Sequence, residues 1–286
     1  MRYRFLRFPG GKYKVLTFSY DDGCRADIRL SGILAKYNLK ATFNLNSGFL
    51  GTCSTAWHLT PEEVKKHIIS NNHEIAVHGK QHIAPGNVPA KDGIIDVYEC
   101  RKELENIFGG IIRGMAYPDS GIGSMNNGAN LKDIETYLKM LGIVYSRTLG
   151  GDNNKFEMPK DWYAWTPTAH HNNPNLFEYL DEFIKLKCPA YPASARPKLF
   201  YLWGHAYEFD NNDNWNLIEE FCQKVSQCDD IWFATNIEIY DYVDAYNSLV
   251  FNTENTLVYN PTLKEIWFWA DGKDYSVKPG ETLKLD

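Results

Sequence analysis

Between Val15 and Asn247 short apolar runs alternate with amphipathic helical segments, and that alternation leaves few architectures open. Val15–Ser19 reads as a strand, "ATFNLN" as a second, "HEIAVHG" as a third and "IIRGMAYP" as a fourth. "IVYSRT", "KLFYLWGH" and "IWFAT" continue the series. Helices are expected between them. Asp27–Tyr37 carries Ile28, Ile33, Leu34 and Tyr37 at helical spacing. "LTPEEVKKHIIS" opens with Thr60 as N-cap, Pro61 in the first turn and Glu63 closing a capping box. "DVYECRKELENIFGG" stops on glycine, and "NLKDIETYLKMLG" runs from Asn130 as cap to Gly142 as stop. "NLFEYLDEFIKLK", "NLIEEFCQKVSQ" and a segment near Glu238–Asn247 complete the set.

Repeated strand–helix units bury a parallel sheet under covering helices. About seven such units predict an α/β fold, a distorted (β/α) barrel over residues 1–248, with its site at the carboxyl ends of the strands. From Leu249 the texture becomes alternating, with Asp271-Gly272 and Pro279-Gly280 as turn signals. Residues 249–286 are therefore expected to form a small β-hairpin appendage, stable only when packed on the barrel.

The chain carries a net charge of −6 and no Lys/Arg-rich stripe, which argues against nucleic acid as a partner. It has no apolar run long enough to span a membrane, and its amino terminus shows no signal-peptide h-region. The expectation is a cytoplasmic protein of open oligomeric state. The six cysteines, Cys53 among them, form no CxxC pair, so reduced structural thiols are expected. Cys24, beside two aspartates, reads as a small residue packed under a loop rather than as a nucleophile. The 41 aromatic residues (8 Trp, 18 Tyr, 15 Phe) suit sugar rings as well as cores.

Chemistry collects at the predicted strand ends. The first strand runs into Asp21-Asp22-Gly23, the third into "VHGKQH", the fourth into Tyr117-Pro118-Asp119 and "LFYLWGH" into His205. Two adjacent carboxylates repel, and a cation on one of them removes the problem. His78 and His82, four apart, can share one metal ion, and Asp22 supplies a third ligand. Two imidazoles and one carboxylate leave coordination positions open, the mark of a catalytic site. Asp21 then stands free beside metal-activated water as a general base. The loose region before "NLFEYLDEFIKLK" holds Trp165, His170 and His171, candidates for substrate binding together with Tyr117. Trp203 and Tyr207 flank His205, where either can form an apolar wall, and core packing is the expected place of Trp203.

"TFSYDDG", "NHEIAVHGKQH" and "YLWGH", in that order, resemble the polysaccharide deacetylases of the NodB-homology type, a carbohydrate esterase family, over about Lys14 to Asn247. The resemblance implies a (β/α) barrel that hydrolyses N-acetyl, or less often O-acetyl, groups of an acetylated saccharide. It implies Asp21 as base, Asp22, His78 and His82 as ligands of one divalent ion (zinc, with cobalt, nickel or iron also accepted), and His205 as the acid that protonates the leaving group. The family's R-x-P-Y motif is "MAYPDSG" here. Ala116 stands at the place of the arginine that orients the base, and Asp119 at that of the tyrosine, where its backbone N–H can serve the oxyanion. Arg113 is the nearest arginine in sequence, and Asp161 is a candidate for the aspartate that tunes the acid. Two alternatives stay open, an allantoinase-like amidohydrolase acting on a non-sugar amide and a degenerate carbohydrate-binding barrel.

Overall fold

A computed structural model describes residues 3–51, 57–149, 153–189 and 195–285, so Cys53 lies outside the described residues. The strands are β1 (Arg4–Arg7), β2 (Lys14–Tyr20), β3 (Ala41–Leu45), β4 (Glu74–Val77), β5 (Gly114–Ala116), β6 (Tyr145–Arg147), β7 (Ala169–His170), β8 (Lys198–Gly204) and β9 (Ile231–Phe233). Between them run α1 (Ala26–Lys36), α2 (Pro61–Glu63), α3 (Ala90–Phe108), α4 (Leu131–Met140), α5 (Leu176–Lys185), α6 (Tyr207–Asn211), α7 (Trp215–Val225) and α8 (Asn236–Asn247).

Every residue of β2 is buried, as a central strand of a covered parallel sheet requires. The sheet runs β6-β5-β4-β3-β2-β8-β7, all pairings parallel. β9 adds to the amino-terminal half of β2. The expected barrel is thus present, with eight strands among the described residues rather than about seven. The extra one is β7, a two-residue strand inside the region read as loose. The same stretch closes the barrel. Trp165 N–H donates to Ser146 O (3.1 Å) and Thr148 N–H to Trp165 O (3.0 Å), while β7 pairs with β8.

The predicted capping box of Thr60 and Glu63 is formed, but the helix it starts departs from α geometry after Glu63. Val64–Ile68 is a π turn and Ile69–Asn71 a 3-10 turn. The His67 carbonyl there accepts from Ser31 Oγ and Asn71 Nδ2. Helix α3 ends on Gly109 at φ +74°, and α4 is capped by Asn130, as read from the sequence.

The carboxyl-terminal strands are β10 (Val250–Phe251), β11 (Leu257–Tyr259), β12 (Ile266–Ala270), β13 (Lys273–Val277) and β14 (Thr282–Lys284). They build two three-stranded antiparallel sheets, β10-β11-β14 and β1-β12-β13. β1 therefore belongs with the appendage strands. Val258, Ile266 and Phe268 share one core with Val15, Tyr145, Leu199 and Tyr201 of the barrel and Ile239 of α8, which joins the appendage to the barrel. Among the described residues, no helix is long and apolar enough to cross a membrane, and the five described cysteines are free.

Candidate active site

Strand alternation sends every second side chain to the barrel interior. On β2, Leu16, Phe18 and Tyr20 pack in the outer core with Leu34 of α1 and Phe221 of α7, and Val15 packs in the inner one. Asp21 continues the phase of Val15, Thr17 and Ser19. Its N–H donates to Gly204 O (3.1 Å), which extends the β2–β8 pairing by one rung. By the same phase His78, Ala116, Arg147 and His205 turn inward at the carboxyl ends of β4, β5, β6 and β8.

Asp21 is 2% exposed. Its Oδ1 accepts from Asn44 Nδ2 of β3 (2.8 Å), and its Oδ2 accepts from Arg147 Nη2. Arg147 is fully buried, with its guanidinium carbon 4.3 Å from the centre of the Trp203 ring. The arginine that the motif lacks at Ala116 thus comes from the next strand, at the position paired in register with Ala116. Adjacent strands lie about 4.8 Å apart, well within the reach of an arginine side chain. Arg113, the nearest in sequence, has the opposite phase. It turns to α8 and binds both oxygens of Asp241 (2.9 and 2.7 Å).

Asp22 leaves the strand at φ +77°, a left-handed conformation that ends the extended course of β2 and brings its carboxylate into the same cleft as that of Asp21. Its Oδ1 lies 3.5 Å from His78 Nε2 and 3.3 Å from His82 Nε2. His78 Nδ1 lies 2.9 Å from Ala116 O and so carries the proton, which leaves a lone pair on Nε2. His82 is presented by a tight turn at φ +57°. That turn needs Gly79 at φ +72°, because a Cβ there would lie 2.3 Å from Asp96 Oδ2. Asp96, on α3, accepts from Gln81 N (2.7 Å) and holds the turn in place. Burial alone would raise the Asp22 carboxyl, but the His82 bond and the charges of the surrounding imidazoles lower it to about 2. Burial pushes His78 down, whereas the bond to Asp22 raises His82.

Opposite this trio, His205 Nε2 lies 3.9 Å from Asp21 Oδ2 and 4.0 Å from Asp22 Oδ2. His205 Nδ1 is 3.3 Å from Glu208 Oε1, in the first turn of α6. Burial works against the imidazolium, yet Glu208, Asp21 and Asp22 together raise His205 above its ordinary range. Glu208 also lies 3.2 Å from His170 Nε2 and 2.8 Å from His171 Nε2. Burial would raise its carboxyl, but the three imidazoles hold it well below the usual carboxylate range. Asp161 does not pair with His205. It caps the Trp162–Ala164 turn by accepting from Tyr163 N (2.8 Å). Glu208 was missed in the sequence although "HAYE" at a helix start places it one turn from His205.

The carboxylates and imidazoles share a cleft of about 330 Å³ with Tyr117, Asp119, Leu149, Trp203 and Tyr207. Trp203 thus lines the site rather than the core alone, and Tyr207 forms a wall as expected. Asp119 sits at φ +46° with its Oδ1 3.6 Å from His82 Nδ1. Tyr117 offers its ring only, since its hydroxyl donates to Tyr163 O (2.9 Å). Trp165 does not reach the cleft. It is fully buried among Tyr145, Trp162 and Tyr201, because the strand-like run that closes the barrel turns it inward below the site. His171 is also fully buried, between Tyr20 and Phe209, and meets the site at Glu208. His170 is half-buried beside Trp203 and likewise meets Glu208. Cys24 is buried and its thiol is pushed far up by burial, which fits the packing role. A larger cleft, about 630 Å³, opens between Phe5 of β1 and Met158 and contains none of these groups.

Residues 9–137 match the model of the polysaccharide deacetylase family, which shows the resemblance carried by the motifs. The matched stretch includes the aspartate pair, both metal-ligand candidates of "HGKQH" and Asp119, and excludes Arg147, His205 and Glu208. No curated protein sequence matches the chain. A Mycobacterium smegmatis protein described as a polysaccharide deacetylase superposes with a TM-score of 0.57 at 18% identity, over 85% of this chain and 94% of that one. The PuuE allantoinase superposes with a TM-score of 0.57 at 12% identity, over 82% of this chain and 91% of that one. The Streptococcus pyogenes deacetylase PplD aligns over 47% of this chain and spans about half of that one (55%), at 18% identity and a TM-score of 0.41. At these identities the first two superpositions establish the α/β barrel fold, and nothing further.

Proposed function

We propose that this chain, whose residues 9–137 carry the polysaccharide deacetylase signature, is a metal-dependent hydrolase that removes N-acetyl or O-acetyl groups from an acetylated saccharide. One observation carries the reading. A three-donor set, an oriented carboxylate base and an oriented imidazole acid converge on one cleft at the carboxyl end of the barrel. The donor set fits a divalent ion. Ligand atoms bound tetrahedrally at 2.0–2.1 Å lie about 3.3–3.4 Å apart, and Asp22 Oδ1 stands 3.5 and 3.3 Å from the two imidazole nitrogens. Asp22, His78 and His82 would hold the ion, with zinc the first choice by ligand type and cobalt, nickel or iron also suited. Bound there, it supplies Lewis-acid polarisation of the scissile carbonyl and of water.

The remaining steps belong to the chain's own side chains. Asp21, fixed by Asn44 and Arg147, faces the cleft with one oxygen and takes the proton of the attacking water. His205, its Nδ1 held by Glu208, gives a proton to the departing nitrogen or oxygen. Asp119 lines the same cleft, and its N–H would serve the oxyanion. A binding module has no use for an oriented base and acid, which argues against the degenerate-barrel reading. The allantoinase-like reading is supported by a superposition as good as that of the described deacetylase and by the Asp119 carboxylate at the cleft rim.

Acetate release from a panel of acetylated saccharides, run beside ureido amides, tests the assignment. We expect turnover on the saccharides alone, at about one divalent ion per chain. Chelation should reduce that rate at least about 100-fold, and added zinc or cobalt should restore it. Hydrolysis of the ureido amides alone would move the protein to the second reading. Replacing Glu208 with Gln has a separate signature. The carboxylate favours the imidazolium, so its loss lowers the pH at which His205 gives up its proton. The alkaline limb of the kcat/KM profile should shift to lower pH. An unmoved limb would mean that His205 is not the acid, or that Glu208 does not support it.

A further inference from the structure

We propose that His170, His205 and Glu208 form a second divalent-cation site whose occupancy withdraws the acid from catalysis. The inhibitory part rests on the reading of His205 as the acid, and the site itself does not. The three groups meet from two elements, since β7 ends at His170 while His205 and Glu208 straddle the start of α6. Glu208 Oε2 lies 3.2 Å from His170 Nε2, and Glu208 Oε1 lies 3.3 Å from His205 Nδ1. One donor atom from each residue can be chosen so that all three lie within 4.8 Å of one another. The carboxylate-to-imidazole spacings match the 3.3 and 3.5 Å of the Asp22, His78 and His82 set. In the Asp22 set both spacings start from one oxygen, whereas here each imidazole faces its own oxygen of Glu208, so the carboxylate can meet an ion through either or both.

The surroundings favour a ligand role for Glu208. No lysine or arginine pairs with it among the described residues, and its near neighbours are three imidazoles and Asn172 Nδ2 (3.1 Å). His171, fully buried, lies behind the carboxylate with its Nε2 2.8 Å from Oε2. Two imidazoles and a carboxylate select borderline ions such as zinc, cobalt, nickel and copper. All three donors are about one-fifth to one-quarter exposed, so an ion can enter from solvent.

The two centres communicate through one ring. His205 faces Asp21 and Asp22 with Nε2 and the second site with Nδ1. A cation on Nδ1 takes the place of the proton shared with Glu208. The ring then keeps a single N–H at Nε2, and giving that up would leave an imidazolate, so it stops acting as a proton donor to the leaving group. The first ion supports the reaction, and a second, weaker one suppresses it.

The test uses the full chain with zinc or cobalt alone as probe. Ions bound per chain are measured by equilibrium dialysis and by cobalt absorption, and turnover is followed across the same range. We expect two ions on the native protein, one on Asp22→Ala and one on His170→Ala. Turnover of the native protein should fall at least about tenfold between one equivalent and saturation, and His170→Ala should escape that loss. Glu208→Gln, which preserves volume, should also bind a single ion, and circular dichroism confirms that each variant is folded. One ion on the native protein at saturation, and none on Asp22→Ala, would overturn the proposal while leaving the proposed function standing. Equal inhibition of His170→Ala and the native protein would overturn the inhibitory role. Two ions without acetate release from any saccharide would instead sink the functional reading and leave the second site intact.

Discussion

Asp21→Asn should lower acetate release by about 10²–10⁴-fold, the usual worth of a positioned general base, while the ion content stays at one per chain. The amide keeps the size of the carboxylate and still accepts from Asn44, but it cannot take a proton from water. Asp22 and the two histidines are untouched, because Asp21 lies 4.0 Å from His78 Nε2 and on a different backbone course from Asp22. Loss of both the ion and the activity would mean that Asp21 is a ligand. Retention of both would place the base elsewhere. Asp22→Ala should give the complementary result, with no ion at that site and no turnover.

Arg147→Met should have the largest combined effect on activity and stability. Asp21 and Arg147 are almost wholly removed from water, so the variant leaves a buried carboxylate without its counter-charge. Breaking such a pair costs about 3–5 kcal/mol of folding stability, measured by denaturant titration. Asn44 then holds Asp21 alone, through one oxygen, and turnover should fall at least about tenfold because the second oxygen loses its orientation. The double variant Arg147→Met, Asp21→Asn removes both charges and should recover most of the lost stability but none of the activity. That split distinguishes an electrostatic partner from a packing residue, since methionine keeps much of the apolar contact with Trp203. Stability unchanged by the single variant would refute the pairing.

Much of the site could be read in short windows. The aspartate pair needs only a strand end, and "HGKQH" needs only one turn, so both are local statements about residues that are neighbours in the chain. Strand phase would even have excluded Arg113, which stands on the opposite face from Gly114 and Ala116. Arg147 was out of reach for a different reason. It lies 126 positions from Asp21, and its relevance depends on the pairing of β6 with β5 opposite Ala116. Trp165 and His171 were misjudged because proximity in sequence to a polar loop says nothing about burial. Their depth is set by barrel closure between β6 and β8. β1 was likewise counted with the barrel, although its hydrogen bonds go to β12 near the other end of the chain.

Order and phase were thus determined by the sequence itself. The alternation of strands and helices selects a barrel, and the two-residue period sends Asp21, His78 and His205 inward at one end of it. Those properties follow from backbone geometry within single elements. The partners that hold Asp21 and His205, namely Asn44, Arg147 and Glu208, were decided by the tertiary structure. Register and closure are set by packing among distant segments, and only there do the charges of Asp21 and Arg147 meet.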